Sequence, residues 1–196
     1  MNKFSLLPLL FAGLLSACSS NLQEQQVEAS SSNYWQSMEQ KLQNVSVFKE
    51  QGRIGFITSA ERGSCNYDFS LDNQDLSFEL ISPIGSQIAH LYVTDKVARL
   101  SFNQKIYKEN DTSELLRRAL GIKLSDRDLT RILLGIPKGD IQRDPEGRII
   151  SALIDDYTVS YAGFKVYNGY ALPTSLTITG LDRTIKIRVN AVNEVK

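Results

Sequence analysis

The chain has 196 residues, with 22 basic side chains, 22 acidic ones and a single histidine, so its formal charge near neutral pH is zero. Neither sign dominates to build a large field, which argues against nucleic acid or an anionic surface as the main partner.

The N-terminus reads as an address. Lys3 precedes an apolar run from Phe4 to Leu15 that is too short to cross a bilayer, which takes about 20 residues, and fits a secretory signal over residues 1–17. The run closes on Leu-Ser-Ala-Cys, and small residues at Ser16 and Ala17 directly before Cys18 resemble a bacterial lipobox. Cleavage before Cys18 with acylation of its thiol and new amino group is the expectation; an ordinary signal with an incidental Cys18 is the alternative. Cleavage removes one charged residue, Lys3, and leaves 179 residues at a net charge of −1. That length suits one domain with a sizeable core. If Cys18 carries lipid, Cys65 is the one remaining thiol and reads as a small buried apolar residue. Residues 18–32, rich in Ser, Gln and Glu, read as the lipidated cysteine and a flexible tether of about 20 Å coil dimension, leaving 33–196 as the folded domain. Ser19, behind the cysteine, favours the outer membrane under the sorting rule of enteric bacteria.

A helix over about 33–44 follows, with Trp35, Met38, Leu42 and Val45 at three-to-four-residue spacing. Strand-like segments come next: VFKEQGRIGFIT, SCNYDFSL, LSFELI, QIAHLYVT, VARLSF and KIYKE. In the second of these Cys65, Tyr67, Phe69 and Leu71 alternate with polar residues, the period-two pattern of a sheet with one apolar face. Two short helices interrupt. One starts at Asp111 with Glu114 three residues on and ends before Gly121; the other starts at Ser125 with Asp128 three residues on and ends at Gly135-Ile136-Pro137. RIISALI, YTVSYAGF, SLTITG and TIKIRVNAV then return to strand, after an Asp144-Pro145-Glu146-Gly147 turn. Roughly ten short strands with close turns predict an antiparallel barrel or strongly curved sheet, mainly β with short helices.

Signals for chemistry are scarce. His90 sits alone in a strand, and HExxH, CxxC, GxSxG, P-loop and GxGxxG patterns are missing. Asp155-Asp156 reads as a turn and Asp126/Asp128 as the first turn of a helix, where acidic residues suit the macrodipole. No catalytic constellation, metal site or cofactor is expected.

The order of motifs resembles the LolB family of outer-membrane lipoprotein receptors. It runs from the lipobox through YWQSMEQKL, GRIGF, a strand into SPIG, and TSELLRRALGIKLSDRDLTRILLGIP with its closing LGxP, to LPTSLTITG and IKIRV. The resemblance spans nearly the whole mature chain. This chain departs from it at Arg131, Asp156-Tyr157 and Val192, where the family often carries aromatic residues. The resemblance implies an incompletely closed antiparallel barrel of about 10–11 strands, capped by an α-helical lid around a hydrophobic cavity. It also implies a monomeric receptor that takes lipoprotein cargo from a LolA-type periplasmic carrier without ATP and places it in the outer membrane, to which its own N-terminal lipid anchors it. Alternation nominates Ile54, Phe56, Tyr67, Phe69, Leu91, Leu116, Leu129 and Leu133 as acyl-binding residues. A lipid-anchored binder of a free hydrophobic ligand and an outer-membrane assembly scaffold are the rival readings.

One turn stands out. Ser82-Pro83-Ile84-Gly85 has Pro83 and Gly85 where a tight turn wants them, yet Ile84 occupies a tip that usually favours polar residues. By itself the pattern allows Ile84 to fold back onto the core. The family resemblance instead implies an exposed Ile84, flanked by Pro83 and Gly85, that meets bilayer or acyl chain during release.

Overall fold

The computed structural model describes Gln25–Gln26 and residues 32–196. The signal segment, Cys18 and the rest of the tether lie outside the described residues. In chain order the elements are β1 (Gln25–Gln26), α1 (Ser32–Leu42), β2 (Val47–Thr58), β3 (Arg62–Asp72), β4 (Asp75–Ile81), β5 (Gln87–Val93), β6 (Ala98–Phe102) and β7 (Lys105–Glu109). After these come α2 (Thr112–Leu120), α3 (Asp126–Leu134), β8 (Asp140–Arg143), β9 (Ile149–Ile154), β10 (Tyr157–Tyr161), β11 (Phe164–Tyr167), β12 (Tyr170–Pro173), β13 (Ser175–Thr179) and β14 (Arg183–Val195). Eleven strands make one antiparallel sheet in the order β7-β6-β5-β4-β3-β2-β14-β13-β10-β9-β8, whose two edges do not pair with each other; β1, β11 and β12 form a second, three-stranded sheet.

Alternation fixes which face looks inward. Cys65, Tyr67 and Phe69 of β3 are buried while Ser64, Asn66 and Asp68 are exposed. The same register buries Leu76, Phe78 and Leu80 of β4, and Ala89, Leu91 and Val93 of β5. Each large apolar side chain so buried contributes about 1.5–3 kcal/mol, and a one-residue slip would turn the whole set to solvent. Phe48, Phe69, Phe78 and Tyr67 meet in tilted ring pairs with centroids 5.7–6.3 Å apart. Gly52, paired with Tyr67 across the ladder, makes room for this: a Cβ there would stand 2.7 Å from the tyrosine ring and 2.2 Å from the Arg188 carbonyl oxygen.

The helices pack against the two sheets. α2 packs on β5, β6 and β7, and α3 on β12, which α1 also covers. The α2 cap differs in detail from a capping box: the Asp111 carboxylate accepts from the Ser113 amide at 2.9 Å, but Glu114 turns to Arg117 and Lys123. At α3 the Ser125 hydroxyl accepts from the Asp128 amide at 3.1 Å, and Gly135 closes the helix in the left-handed region at φ 78°.

Four strands lie beyond the sequence expectation. β8 is exposed throughout and shows no clean alternation. β11 and β12 form a hairpin through Asn168 and Gly169, both at positive φ. β1 pairs with β11, so two residues of the expected tether join a sheet.

Candidate functional site

Register sorts the turns into two ends. Turns at 59–61, 82–86, 103–104, 155–156 and 180–182 share one end. Turns at 73–74, 94–97 and 144–148, with α1 lying near them, form the other.

The first end carries bare aliphatic side chains. Ile84 is 89% exposed. Its turn is closed by the Gly85 amide on the Ser82 carbonyl (2.9 Å), and the Ser86 amide on the Ser82 hydroxyl (3.0 Å). Pro83 and Gly85 are exposed too, with Gly85 at φ 85°. Pro83 fixes one corner, so the turn holds Ile84 outward on a firm base. Leu181 in the β13–β14 turn is fully exposed at the same end, as is much of Ile106 on β7. Leu181 escaped the sequence reading; its signal was an aliphatic residue between Gly180 and Asp182, where a hairpin turn was due.

Of the nominated interior residues, Ile54, Tyr67, Phe69, Leu91, Leu116, Leu129 and Leu133 are fully buried in one cluster, with Phe56 partly buried against it. The structure brings them together across β2, β3, β5, α2 and α3. None of them borders the cleft at the second end or the void beneath α1. A cleft of about 1040 Å³ opens at the second end, between α1, the 73–74 and 94–95 turns and α3. Its lining mixes Leu42, Val93 and Ile141 with Glu39, Asp126 and Arg131. A void of about 10 Å³ lies beneath α1 beside Trp35, Met38 and Phe164.

Three polar contacts hold the helical segment down. Arg183 donates to the Leu120 carbonyl at the end of α2 (3.2 Å), and its guanidinium lies so close to Gly121 that a Cβ there would sit 2.1 Å away. The Tyr157 hydroxyl accepts from the Lys123 amide (3.0 Å), and the Tyr161 hydroxyl donates to the Ile132 carbonyl (3.1 Å). A cation at a helix C-terminus is favourable by the macrodipole, and a hydrogen bond from a charged donor contributes about 1.5–3 kcal/mol. Arg183→Ala should therefore raise amide exchange in the last turn of α2 by about tenfold, leaving the β2–β3 amides unchanged. Equal protection in both proteins would show that Arg183 does not latch the helix.

The interior also holds a carboxyl that sequence reading missed. Glu50 of β2 points inward between Phe48 and Gly52 and is 1% exposed. Its Oε1 accepts a hydrogen bond from the Tyr67 hydroxyl at 2.9 Å, while Oε2 has no partner among the described residues. Burial pushes the Glu50 carboxyl up to about 8, against the Tyr67 hydrogen bond, which lowers it. The group is thus a carboxylic acid at neutral pH. Burial also holds the Cys65 thiol above its ordinary value, and His90 pairs with the Ser77 hydroxyl at 2.8 Å. Tyr157 and Val192, two of the family departures, serve as a lid contact and a core residue; Arg131 lines the cleft.

A family model described as "Outer membrane lipoprotein LolB" matches residues 46–191. An outer-membrane lipoprotein LolB from Pseudoalteromonas translucida is 28% identical over 186 residues, covering 92% of this chain and 89% of that protein. One from Aeromonas salmonicida is 24% identical over 158 residues, covering 80% and 81%. Among solved structures, a LolA superfamily protein from Nitrosomonas europaea superposes with a TM-score of 0.52 at 10% identity, over 83% of this chain and 92% of that one. A DUF1329 family protein from Desulfovibrio piger superposes with a TM-score of 0.50 at 8% identity, over 82% and 90%. These two establish likeness of fold.

Proposed function

The chain belongs to the LolB family of outer membrane lipoproteins, and from that membership we propose a receptor that accepts lipoproteins from a LolA-type carrier and inserts them into the outer membrane. The family role is outer-membrane lipoprotein localisation. In this reading acylated Cys18 anchors the protein at the periplasmic face, and the receptor works as a monomer. No nucleotide hydrolysis drives it. A lipid chain gains about 0.8 kcal/mol per methylene on leaving water, so three chains of about 15 carbons resist aqueous transit by roughly 35 kcal/mol. A shelter for those chains removes most of that barrier without a bond being made.

The shelter is the barrel interior. Acyl chains would lodge among Ile54, Phe56, Tyr67, Phe69 and Leu91 once α2 and α3 lift Leu116, Leu129 and Leu133 out of the cluster. Release would proceed at the end bearing Ile84, with Leu181 adding a second aliphatic contact to the bilayer. The observation that carries this reading is Ile84, held almost wholly in solvent on a closed turn. Mixing a lipoprotein-loaded LolA-type carrier with this protein and liposomes tests it. Cargo should move first to this protein and then to the liposomes. Tight binding of free fatty acid with no transfer would favour a ligand binder; neither activity would favour a scaffold.

A further inference from the structure

We propose that Glu50 is a cargo-reading residue, its free Oε2 hydrogen-bonding the carbonyl oxygen of an acyl ester or amide brought into the barrel. The inference rests on the acyl-carrier reading above and adds what part of the lipid the interior recognises. The structure supplies a pre-built arrangement. Oε1 is occupied by the Tyr67 hydroxyl and Oε2 is unpartnered, so the carboxyl is fixed with one hydrogen-bonding atom left over. Gly52 is needed for the tyrosine to stand there. A buried polar atom without a partner costs about 1–3 kcal/mol, and a residue there for packing alone would be better served by leucine.

Depth fits the chemistry. Glu50 lies three residues in from Val47, which pairs with Asp72 beside the 73–74 turn lining the cleft. At about 3.3 Å per residue, that is about 10 Å inside the cleft end. Hydrocarbon tails reaching further toward the Ile84 end would leave their carbonyls near this level. The neutral acid can donate from Oε2; a carboxylate could only accept, and would repel a carbonyl oxygen. Tyr67 is the titratable group facing it, and its ladder partners Phe69 and Val192 carry no charge.

The test is displacement of an apolar fluorescent reporter from the purified protein by two lipids: a dipalmitoylglyceryl-cysteinyl tetrapeptide and its dialkyl ether analogue, which lacks the ester carbonyls. The native protein at pH 6.5 should prefer the ester by about tenfold, the range of one well-made buried hydrogen bond. That preference should fade as pH rises through about 8. Glu50→Gln keeps a donor and should retain the preference at pH 9, whereas Glu50→Leu should bind both lipids equally. An ester preference that survives in Glu50→Leu, or one that is flat from pH 6 to 9 in the native protein, overturns the assignment to Glu50 alone. Failure of either lipid to displace the reporter from any of the three proteins overturns it together with the acyl-carrier reading.

Discussion

Ile84→Glu should fold, take cargo from the carrier and keep it, while delivery to liposomes falls by at least about tenfold. Ile84 is 89% exposed, and exposed substitutions usually move stability by no more than about 0.5 kcal/mol. At a bilayer the residue types part company. Isoleucine is mildly favoured in hydrocarbon, whereas a charged carboxylate is disfavoured by a few kcal/mol at the centre and less near the interface. Even about 1.4 kcal/mol of difference is tenfold in a binding equilibrium. Uptake from the carrier should be untouched, and Ile84→Leu should deliver normally. Thermal melts, carrier-to-receptor transfer and receptor-to-liposome transfer read the three steps separately. Normal delivery by the glutamate variant would remove Ile84 from the mechanism.

The second large effect concerns acid and base. Glu50 is held near 8 in the folded protein against an ordinary value of 4.5. The native state therefore binds a proton that the unfolded chain has released, and stability must fall as pH rises. The loss begins near 4.5, runs at about 1.4 kcal/mol per pH unit, and is complete above about 8, for a total on the order of 4–5 kcal/mol. Glu194 works in a different window. Its bonds to Lys196 and Lys49 hold it at about 2, so its share is present above 4.5 and lost only as pH falls toward 2. Urea titrations at intervals from pH 5 to pH 9 should show a steady decline in the native protein and a nearly flat profile in Glu50→Gln. A decline of equal size in the glutamine variant would place the titrating group elsewhere.

Much of the architecture was readable from residues because local rules agreed. The apolar beat of Cys65, Tyr67 and Phe69 set one face of β3, and Gly121 and Gly135 marked helix ends that both adopt positive φ. The resemblance supplied the unclosed eleven-stranded sheet that alternation alone left between a barrel and a curved sheet. The β11–β12 hairpin was missed although Asn168-Gly169 is a strong two-residue turn signal, because Pro173 and the Gly163 break obscured the flanking strands. Exposed β8 offers only Ile141 as an apolar residue and gives periodicity nothing to detect. Glu50 illustrates a deeper limit. Hydrophobic patterning assigns a charged residue to solvent by default, and only the ladder, with Phe48 and Ile54 inward on either side, turns it toward the core.

The unpaired edges β7 and β8 have one further consequence. A hoop cut at one point can widen its girth without tearing any of its own rungs. On the proposed acyl-carrier reading, guests of different bulk would be admitted by exchanging helix leucines for hydrocarbon, while the wall keeps every ladder hydrogen bond it had when empty.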